Sequence, residues 1–240
     1  MANKPSDNWY VRASSMGALM TGGRGKDNPW GATALTTIQD AVLRNKYGLE
    51  NKVYSKYMDK GIMNEPQALQ MLIKKMGWTN IDLGKSRLFN DYVTGEPDLH
   101  HDFILADVKC SFSASTFPWL DTELKNKDYI YQMQTYMWLS GIKTSYLAYC
   151  LTDAPESMIM EEVQRRVYKE MSYPDNKSKS MDEVESEVYI SVKKEMTYPG
   201  VIAEKRCKVF EVEYDEEIVE KIRLRVVEAR EKYDQIYNII

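Results

Sequence analysis

The chain has 240 residues, of which 43% are hydrophobic, so it can bury a substantial core and is not intrinsically disordered. The formal net charge of −4 excludes a protein covered with basic residues. Residues 1–150 hold 17 Lys and Arg against 15 Asp and Glu, and the remainder holds 15 against 21, a balance that permits a local nucleic-acid groove without requiring one.

The sequence predicts a protein of the reducing cytoplasm that does not cross a membrane. Its first residues contain no apolar stretch of the signal-peptide type, and no window approaches eighteen consecutive apolar residues. The three cysteines are scattered and odd in number, which argues against a disulfide framework or a CxxC metal site.

The first elements in chain order are a loop and two helices. Residues 21–31 are basic and glycine-rich, but no glycine stands five residues before Gly25 and Asp27 replaces the required Ser or Thr, so we expect a loop and not a nucleotide site. Apolar residues at helical spacing predict helices over residues 32–47 and 60–76, the second ending at Gly77.

Short extended pieces follow, and they predict the central sheet. The segments "RLFNDYVTG" and "DFILADVKCSF" indicate strands, with a hairpin around residues 100–102. A helix over residues 129–141 and a strand over residues 145–151 come next. This order favours an α/β or α+β fold with a central mixed sheet flanked by helices.

The composition of the chain changes after Pro155, where Lys and Glu become frequent. We expect a helix over residues 156–171, then a polar segment in which "KEMSYP" and "KEMTYP" indicate two similar helix ends. An edge strand over residues 207–215 and a long amphipathic helix complete the chain. The predicted units are a core over residues 1–154, a charged helical insertion over 155–206, and a strand and helix over 207–240 that pack on the core.

The strand around "FILADVKC" carries an acid and a lysine into an apolar setting. Side chains alternate along a strand, so Leu105, Asp107 and Lys109 share one face while the opposite face is uniformly apolar. Asp98 lies on the preceding arm of the predicted hairpin. Because burying an unpaired carboxylate is costly, these charges need each other, another partner or a metal.

Two readings of this pattern remain open from the residues alone. Two converging carboxylates with a backbone carbonyl, that of Val108, form an oxygen pocket suited to Mg²⁺ or Mn²⁺, and Lys109 could orient or deprotonate a water and neutralise developing charge. The alternative is a structural Asp–Lys pair at the end of a strand.

Neighbouring helices offer further candidates. Glu65, near the start of the second helix, could bring a third carboxylate to the metal, or could simply stabilise the helix N-terminus. Gln132 and Tyr136 lie four residues apart on one helical face, and Gln134 lies between them. Each of these could instead be an ordinary polar position.

The ordered set "VRASSMGALM", "GIMNEPQAL", "GEPDL…LADVKCSF" and "YQMQTYMWLSG…AYCLTD" resembles the PD-(D/E)XK nuclease superfamily, and looks closest to phage lambda exonuclease and YqaJ-like viral recombinases. The resemblance runs from about residue 11 to residue 153. It implies a restriction-endonuclease-like core and a Mg²⁺-dependent exonuclease that acts on the ends of double-stranded DNA, 5′ to 3′, in phage-type recombination.

The resemblance also implies roles for individual residues. Catalysis and metal binding fall to Glu65, Asp98, Asp107, the Val108 carbonyl and Lys109, with Lys109 activating water. The 5′ phosphate falls to the candidates Ser14, Arg12, Gln132 and Gln134. The implied partners are a single-strand annealing protein and further copies of the chain, a trimer by analogy.

The chain departs from the family pattern at Glu96, where the family offers a small polar phosphate ligand and a carboxylate would repel phosphate. The family's arginine before the serine is also missing, and Arg12 is a substitute candidate. The alternatives are an endonuclease of restriction or junction-resolving type on the same core, and a non-catalytic DNA-binding or assembly module. An iron–sulfur cluster is disfavoured, because three cysteines cannot supply four ligands.

Overall fold

The computed structural model describes residues 4–24, 28–51, 54–173 and 179–240. The strands are β1 (Val11–Arg12), β2 (Leu88–Phe89), β3 (Val93–Gly95), β4 (Leu99–His101), β5 (Ile104–Cys110), β6 (Thr144–Cys150) and β7 (Cys207–Glu213). The helices are α1 (Met16–Leu19), α2 (Ala32–Tyr47), α3 (Lys56–Met76), α4 (Lys127–Ser140), α5 (Glu156–Met171), α6 (Met181–Met196) and α7 (Glu216–Ile239). Among these helices, none combines the length and the apolar character that a membrane span needs.

The expected α+β fold with mixed β-structure is confirmed, but the strands form two sheets where the sequence predicted one. The larger sheet has the order β4–β5–β6–β7, in which β5 and β6 run parallel and both outer pairs are antiparallel. The smaller sheet has the order β1–β3–β2. The sheets part between β3 and β4, where Pro97 has no N–H to donate to a ladder.

Helices cover both faces of the larger sheet. On one face α3 packs its apolar stripe, and that cluster includes the buried residues Ala68, Leu69, Leu72, Leu99, Ala106, Val108 and Ala148. On the other face α4 packs, and the shared buried residues include Leu105, Met133, Tyr136, Met137 and Leu147. Strand β5 is therefore enclosed by helices on both sides, which is why its charged end is the feature that needs explanation.

Most predicted elements are confirmed, with shifts at their ends. Helix α2 spans the predicted residues, whereas α3 begins four residues before the predicted start, because the Ser55 side chain accepts a hydrogen bond from the Tyr57 N–H and caps it there. The predicted hairpin is β4–β5, with Asp102 in the left-handed region (φ 49°) at its turn. In the predicted loop of residues 21–31, the described residues lie outside helices and strands, and residues 25–27 fall outside the description.

Helices α5 and α6 pack against each other. The segment that the sequence showed only as polar contains α6, whose valines pack against α5 in a separate apolar cluster that includes Ile159, Val163, Val184, Val188 and Val192. Arg166 of α5 forms ion pairs with Glu162 and with Glu195 of α6. The two echoed motifs begin in the last turns of these helices, as predicted, and the division of the chain into three units stays a prediction.

The C-terminal helix holds the N-terminal segment in place through Arg225. This buried side chain donates hydrogen bonds to the carbonyls of Leu19, Thr21 and Pro29, and its guanidinium lies 3.7 Å from the ring centroid of Trp30. These bonds satisfy the carbonyls of Leu19 and Pro29 and add a second donor to that of Thr21, which also accepts from the Gly31 N–H.

We predict that Arg225→Met lowers the free energy of unfolding by about 2–4 kcal/mol, because it leaves the carbonyls of Leu19 and Pro29 without their donor and removes a third hydrogen bond, to Thr21. Urea unfolding monitored by tryptophan fluorescence measures the change. Arg223→Met, two residues away on the same helix, removes only an exposed pair with Glu220 and should cost less than about 1 kcal/mol. Equal losses in the two variants would contradict the role assigned to Arg225.

Candidate active site

The alternation predicted for β5 is present in the structure. Ala106 and Val108 are buried against α3, whereas Leu105 packs on the α4 side and Asp107 points to Gln132 of α4. Asp107 is only 2% exposed, and Lys109 is partly buried. Strand β5 therefore carries a buried carboxylate and a lysine to the side of the sheet that α4 covers.

Asp98 meets the same end of β5 from the segment between the two sheets. Its Oδ2 accepts a hydrogen bond of 2.8 Å from the backbone N–H of Val108. Burial, with the nearby charge of Asp107, raises the pKa of Asp98 to about 7. The two carboxylates therefore converge across the start of the hairpin, as the sequence predicted, and they destabilise each other's charge when no cation lies between them.

Lys109 contacts Asp107 directly. Its Nζ lies 2.5 Å from Asp107 Oδ2, so the two side chains form a close ion pair. Burial acts to lower the pKa of Lys109, but the charges of Asp107 and Asp98 outweigh it and the pKa is raised. The lysine is therefore held as an ammonium ion beside the carboxylate of Asp107.

Helix α4 supplies a polar layer behind Asp107. The side-chain nitrogen of Gln132 lies 3.4 Å from Asp107 Oδ1 and 2.9 Å from the hydroxyl of Tyr136, which in turn donates to the carbonyl of Glu96. Gly95 permits this packing, since a Cβ there would lie 2.6 Å from the Tyr136 ring. The predicted shared face of Gln132 and Tyr136 is confirmed by this contact.

Glu65 borders the same cavity from α3, where it forms an ion pair of 2.5 Å with Lys85. The hydrogen bond to Glu65, together with the charges of Asp98 and Glu96, raises the pKa of Lys85 against the effect of burial. Glu65 thus lies near enough to Asp98 to act on its charge, but its carboxylate is engaged by a lysine.

The cavity that these residues line has a volume of about 950 Å³. Its wall also includes Arg12 and Ser14, both exposed, so two of the predicted phosphate residues lie beside the acids. Gln134 does not line it: the Gln134 amide donates to the carbonyl of Glu213 and accepts from the N–H of Asp215. The structure therefore gives Gln134 a bridging position between α4 and the β7–α7 turn, and brings Gln132 to the cavity instead.

The oxygen atoms at the end of β5 suit a hard divalent cation bound in an open site. Within the described parts of the chain, no three Asp, Glu, His or Cys side chains converge as a complete metal cage. Mg²⁺ commonly binds through one or two carboxylates and keeps several waters, a coordination that two aspartates can supply. The close approach of Asp107 to Asp98, whose pKa it helps to raise, fits such an ion.

Three basic residues in or beside this cavity were not predicted from the sequence, two of them because they lie in a segment without periodicity. Lys85 and Arg87 come from the irregular segment between α3 and β2, and Arg87 pairs with Glu96 at 3.2 Å. Lys60, 1% exposed on α3, donates to the carbonyls of Ser111 and Phe112, which follow β5. The sequence held two signals of these residues: Lys60 lies five residues before Glu65 on one helix, and Lys85 and Arg87 belong to the basic run "GKSR".

Solved exonucleases share this arrangement of helices and strands. A phage-related exonuclease from Haemophilus somnus 129PT matches with a TM-score of 0.70 at 24% sequence identity, over 95% of both chains. An alkaline exonuclease from Laribacter hongkongensis matches at 0.64 and 14% identity, and its complex with dAMP at 0.61 and 15%, each over 96% of this chain and 90% of the other. The fold is that of these exonucleases.

This result confirms, for the fold, the nuclease resemblance seen in the sequence motifs. The similarity also extends over nearly the whole chain and thus beyond residue 153, where the sequence motifs end. No protein-family model and no curated protein matched the chain.

Burial lowers the pKa of Lys60 from 10.5 to about 8. Between these values the unfolded chain binds the proton more tightly than the folded chain, so the free energy of unfolding should rise with pH in that window, by up to about 1.4 kcal/mol per pH unit. We predict that Lys60→Met loses this rise, as measured by urea unfolding from pH 7 to pH 10.5.

Lys221→Met, which removes an exposed lysine of α7, is the matched control and should keep the pH dependence of the wild type. The comparison uses slopes, because Lys60→Met also removes the donor to two carbonyls and lowers stability at every pH. Identical slopes in the wild type and Lys60→Met would contradict the assignment.

Proposed function

We propose that this protein is a divalent-metal-dependent deoxyribonuclease that degrades duplex DNA from its ends in the 5′ to 3′ direction. The observation that carries the proposal is the convergence of Asp98, Asp107 and Lys109 at one end of β5, in a cavity of a chain with an exonuclease fold. A retained but inactive fold gives no physical reason for keeping two carboxylates and a lysine at a buried strand end.

The residues divide the chemistry among them. Asp98 and Asp107 would hold Mg²⁺ or Mn²⁺, with the Val108 carbonyl and, once released from Lys85, Glu65 as further ligands. When bound, the ion polarises a phosphate oxygen and lowers the pKa of water. Gln132 holds Asp107 in position, as residues behind a metal ligand do.

Lys109 acts in this scheme as an ammonium ion. Because the neighbouring aspartates raise its pKa against the effect of burial, it can donate a hydrogen bond to the attacking water and neutralise charge on the phosphate, but it is a poor proton acceptor. The sequence left both roles open for Lys109, orientation of the water and its deprotonation. Of the two, we propose orientation of the water.

The proposed reaction is hydrolysis of a phosphodiester bond. The oxygen of water bonds to phosphorus and the bond from phosphorus to the 3′ oxygen breaks, which leaves a 3′ hydroxyl on the released nucleotide and a 5′ phosphate on the shortened strand. The Laribacter exonuclease binds dAMP, a deoxynucleoside monophosphate of the kind that this reaction releases. The cavity volume here, about 950 Å³, is within the range of sites for small ligands.

The 5′ phosphate of the strand would lie against Ser14 and Arg12, which border the cavity beside the acids. Gln132 remains a candidate for the same phosphate, whereas Gln134 has both ends of its amide engaged away from the cavity. By the sequence resemblance, we further propose a role in phage-type recombination with a single-strand annealing partner, and assembly into a trimer.

The central test is hydrolysis of 5′-phosphorylated linear duplex DNA and of closed circular DNA, each with Mg²⁺, Mn²⁺ or a chelator, followed on gels. We predict loss of the linear substrate from its ends with metal only, and at least a thousandfold lower rates for Asp107→Asn and Lys109→Ala, which remove charge at the reacting phosphate. Lys221→Ala is the control for lysine removal and should act like the wild type.

Three other results of this experiment would contradict parts of the proposal. Cutting of the closed circle would move the activity to an endonuclease on the same core. Full activity of Lys109→Ala or Asp107→Asn would remove the catalytic assignment, and metal-independent hydrolysis would remove the metal.

A second prediction separates the two glutamines of α4. Gln132→Ala should lower kcat about 10- to 100-fold by loosening Asp107. Gln134→Ala should leave kcat of the folded protein unchanged and lower the free energy of unfolding by about 1–3 kcal/mol, because two backbone groups lose their partner. The reverse pattern, in kinetics and urea unfolding, would contradict both placements.

A further inference from the structure

Glu96 is one of the positions at which this chain departs from the nuclease family that it resembles, and in the structure its carboxylate has a partner. The carboxylate Oε2 of Glu96 lies 3.2 Å from Nη2 of Arg87, and both residues line the cavity that contains Asp98 and Asp107. The negative charge of Glu96 is thus balanced within the cavity wall. Because Arg87 offsets this charge, Glu96 is not expected to repel a phosphate group as an unpaired carboxylate would.

The pairing is set by the register of the smaller sheet. Strands β2 and β3 are antiparallel, with Leu88 opposite Gly95 and Phe89 opposite Thr94. Arg87 precedes β2 and Glu96 follows β3, so the same register extended by one position places them opposite each other. The β2–β3 hairpin therefore places Arg87 at the cavity rim, opposite Glu96. In the chain, Glu96 precedes Asp98 by two residues.

The contact leaves most of the guanidinium available. The Arg87 side chain is 63% exposed, and one nitrogen contacts one carboxylate oxygen, although the guanidinium has five N–H groups in a planar fork. An exposed ion pair of this kind contributes little to stability. Its physical effect is to hold a long, mobile side chain at one place on the rim.

We propose that Arg87 is a phosphate-binding residue for the DNA strand that enters the cavity, and that Glu96 is the positioning residue that holds it there. The inference rests on the proposed function and deepens it. A guanidinium with free donors recognises phosphate oxygens by paired hydrogen bonds, and a carboxylate on its other side fixes its orientation. The phosphate is either the one at the 5′ terminus or one within the strand.

The test compares Arg87→Gln, Glu96→Gln and the double variant in steady-state hydrolysis of 5′-phosphorylated linear duplex. Arg87→Gln should raise KM about tenfold, with kcat within about twofold, and should reduce the slope of log(kcat/KM) against log salt by about one, as expected for one lost phosphate contact. Arg165→Gln, which removes another exposed paired arginine on α5, is the matched control and should match the wild type.

Glu96→Gln separates positioning from simple repulsion. If Glu96 holds Arg87, Glu96→Gln raises KM, and the double variant is no worse than Arg87→Gln alone, because the two residues act as a unit. If Glu96 merely repels phosphate, Glu96→Gln lowers KM, and that result overturns the positioning role. An unchanged KM and salt slope in Arg87→Gln overturns the binding role.

Two further measurements, one on a different substrate and one of binding alone, complete the experiment. On a 5′-hydroxyl duplex, the effect of Arg87→Gln vanishes if the terminal phosphate is the ligand and persists if the phosphate lies within the strand. Equilibrium binding of linear duplex in a chelator is measured alongside, without hydrolysis. A wild type that neither cuts nor binds DNA would overturn the proposed function itself, whereas a wild type that cuts DNA with no effect of Arg87→Gln would overturn only the inference about Arg87.

Discussion

The structure depends on how the charges at the end of β5 are balanced. Asp107 is 2% exposed and Asp98 converges on it, an arrangement that costs free energy unless cations and donors surround it. The Lys109 ammonium, the Val108 N–H and the amide of Gln132 supply part of the balance. The charge of Asp107 still acts to raise the pKa of Asp98, and a divalent cation between the two carboxylates would relieve that repulsion.

The rest of the fold serves to hold that strand end. Helices α3 and α4 enclose the sheet, α3 bringing Glu65 and the buried Lys60, and α4 bringing Gln132. Pro97 separates the two sheets, and the break lets Asp98 turn toward β5 while Glu96 stays opposite Arg87. The proposed catalytic and strand-binding groups thus come from two different sheets that meet at one short segment.

Four acids and three cations line the cavity, and ion pairs join acids to cations at its base and at its rim. Lys109 pairs with Asp107 at its base, whereas Lys85 with Glu65 and Arg87 with Glu96 lie at its rim. Such pairing explains how a chain with a net charge of −4 can still present cations to a polyanion. For the proposed DNA substrate, local geometry would decide binding, because the overall charge of the chain has the wrong sign.

The sequence by itself indicated the alternation of β5, most of the helices, and the candidates Asp98, Asp107 and Lys109 together with both glutamines of α4, since these follow from local periodicity and from chemistry concentrated in short motifs. Only the tertiary structure decided which glutamine reaches the cavity, because residues two apart lie on nearly opposite faces of a helix and packing turns the face of Gln134 toward the β7–α7 turn. Only it paired Lys85 and Arg87 with their acids, because those cations lie in segments without periodicity, and their partners are set by sheet register and long-range packing.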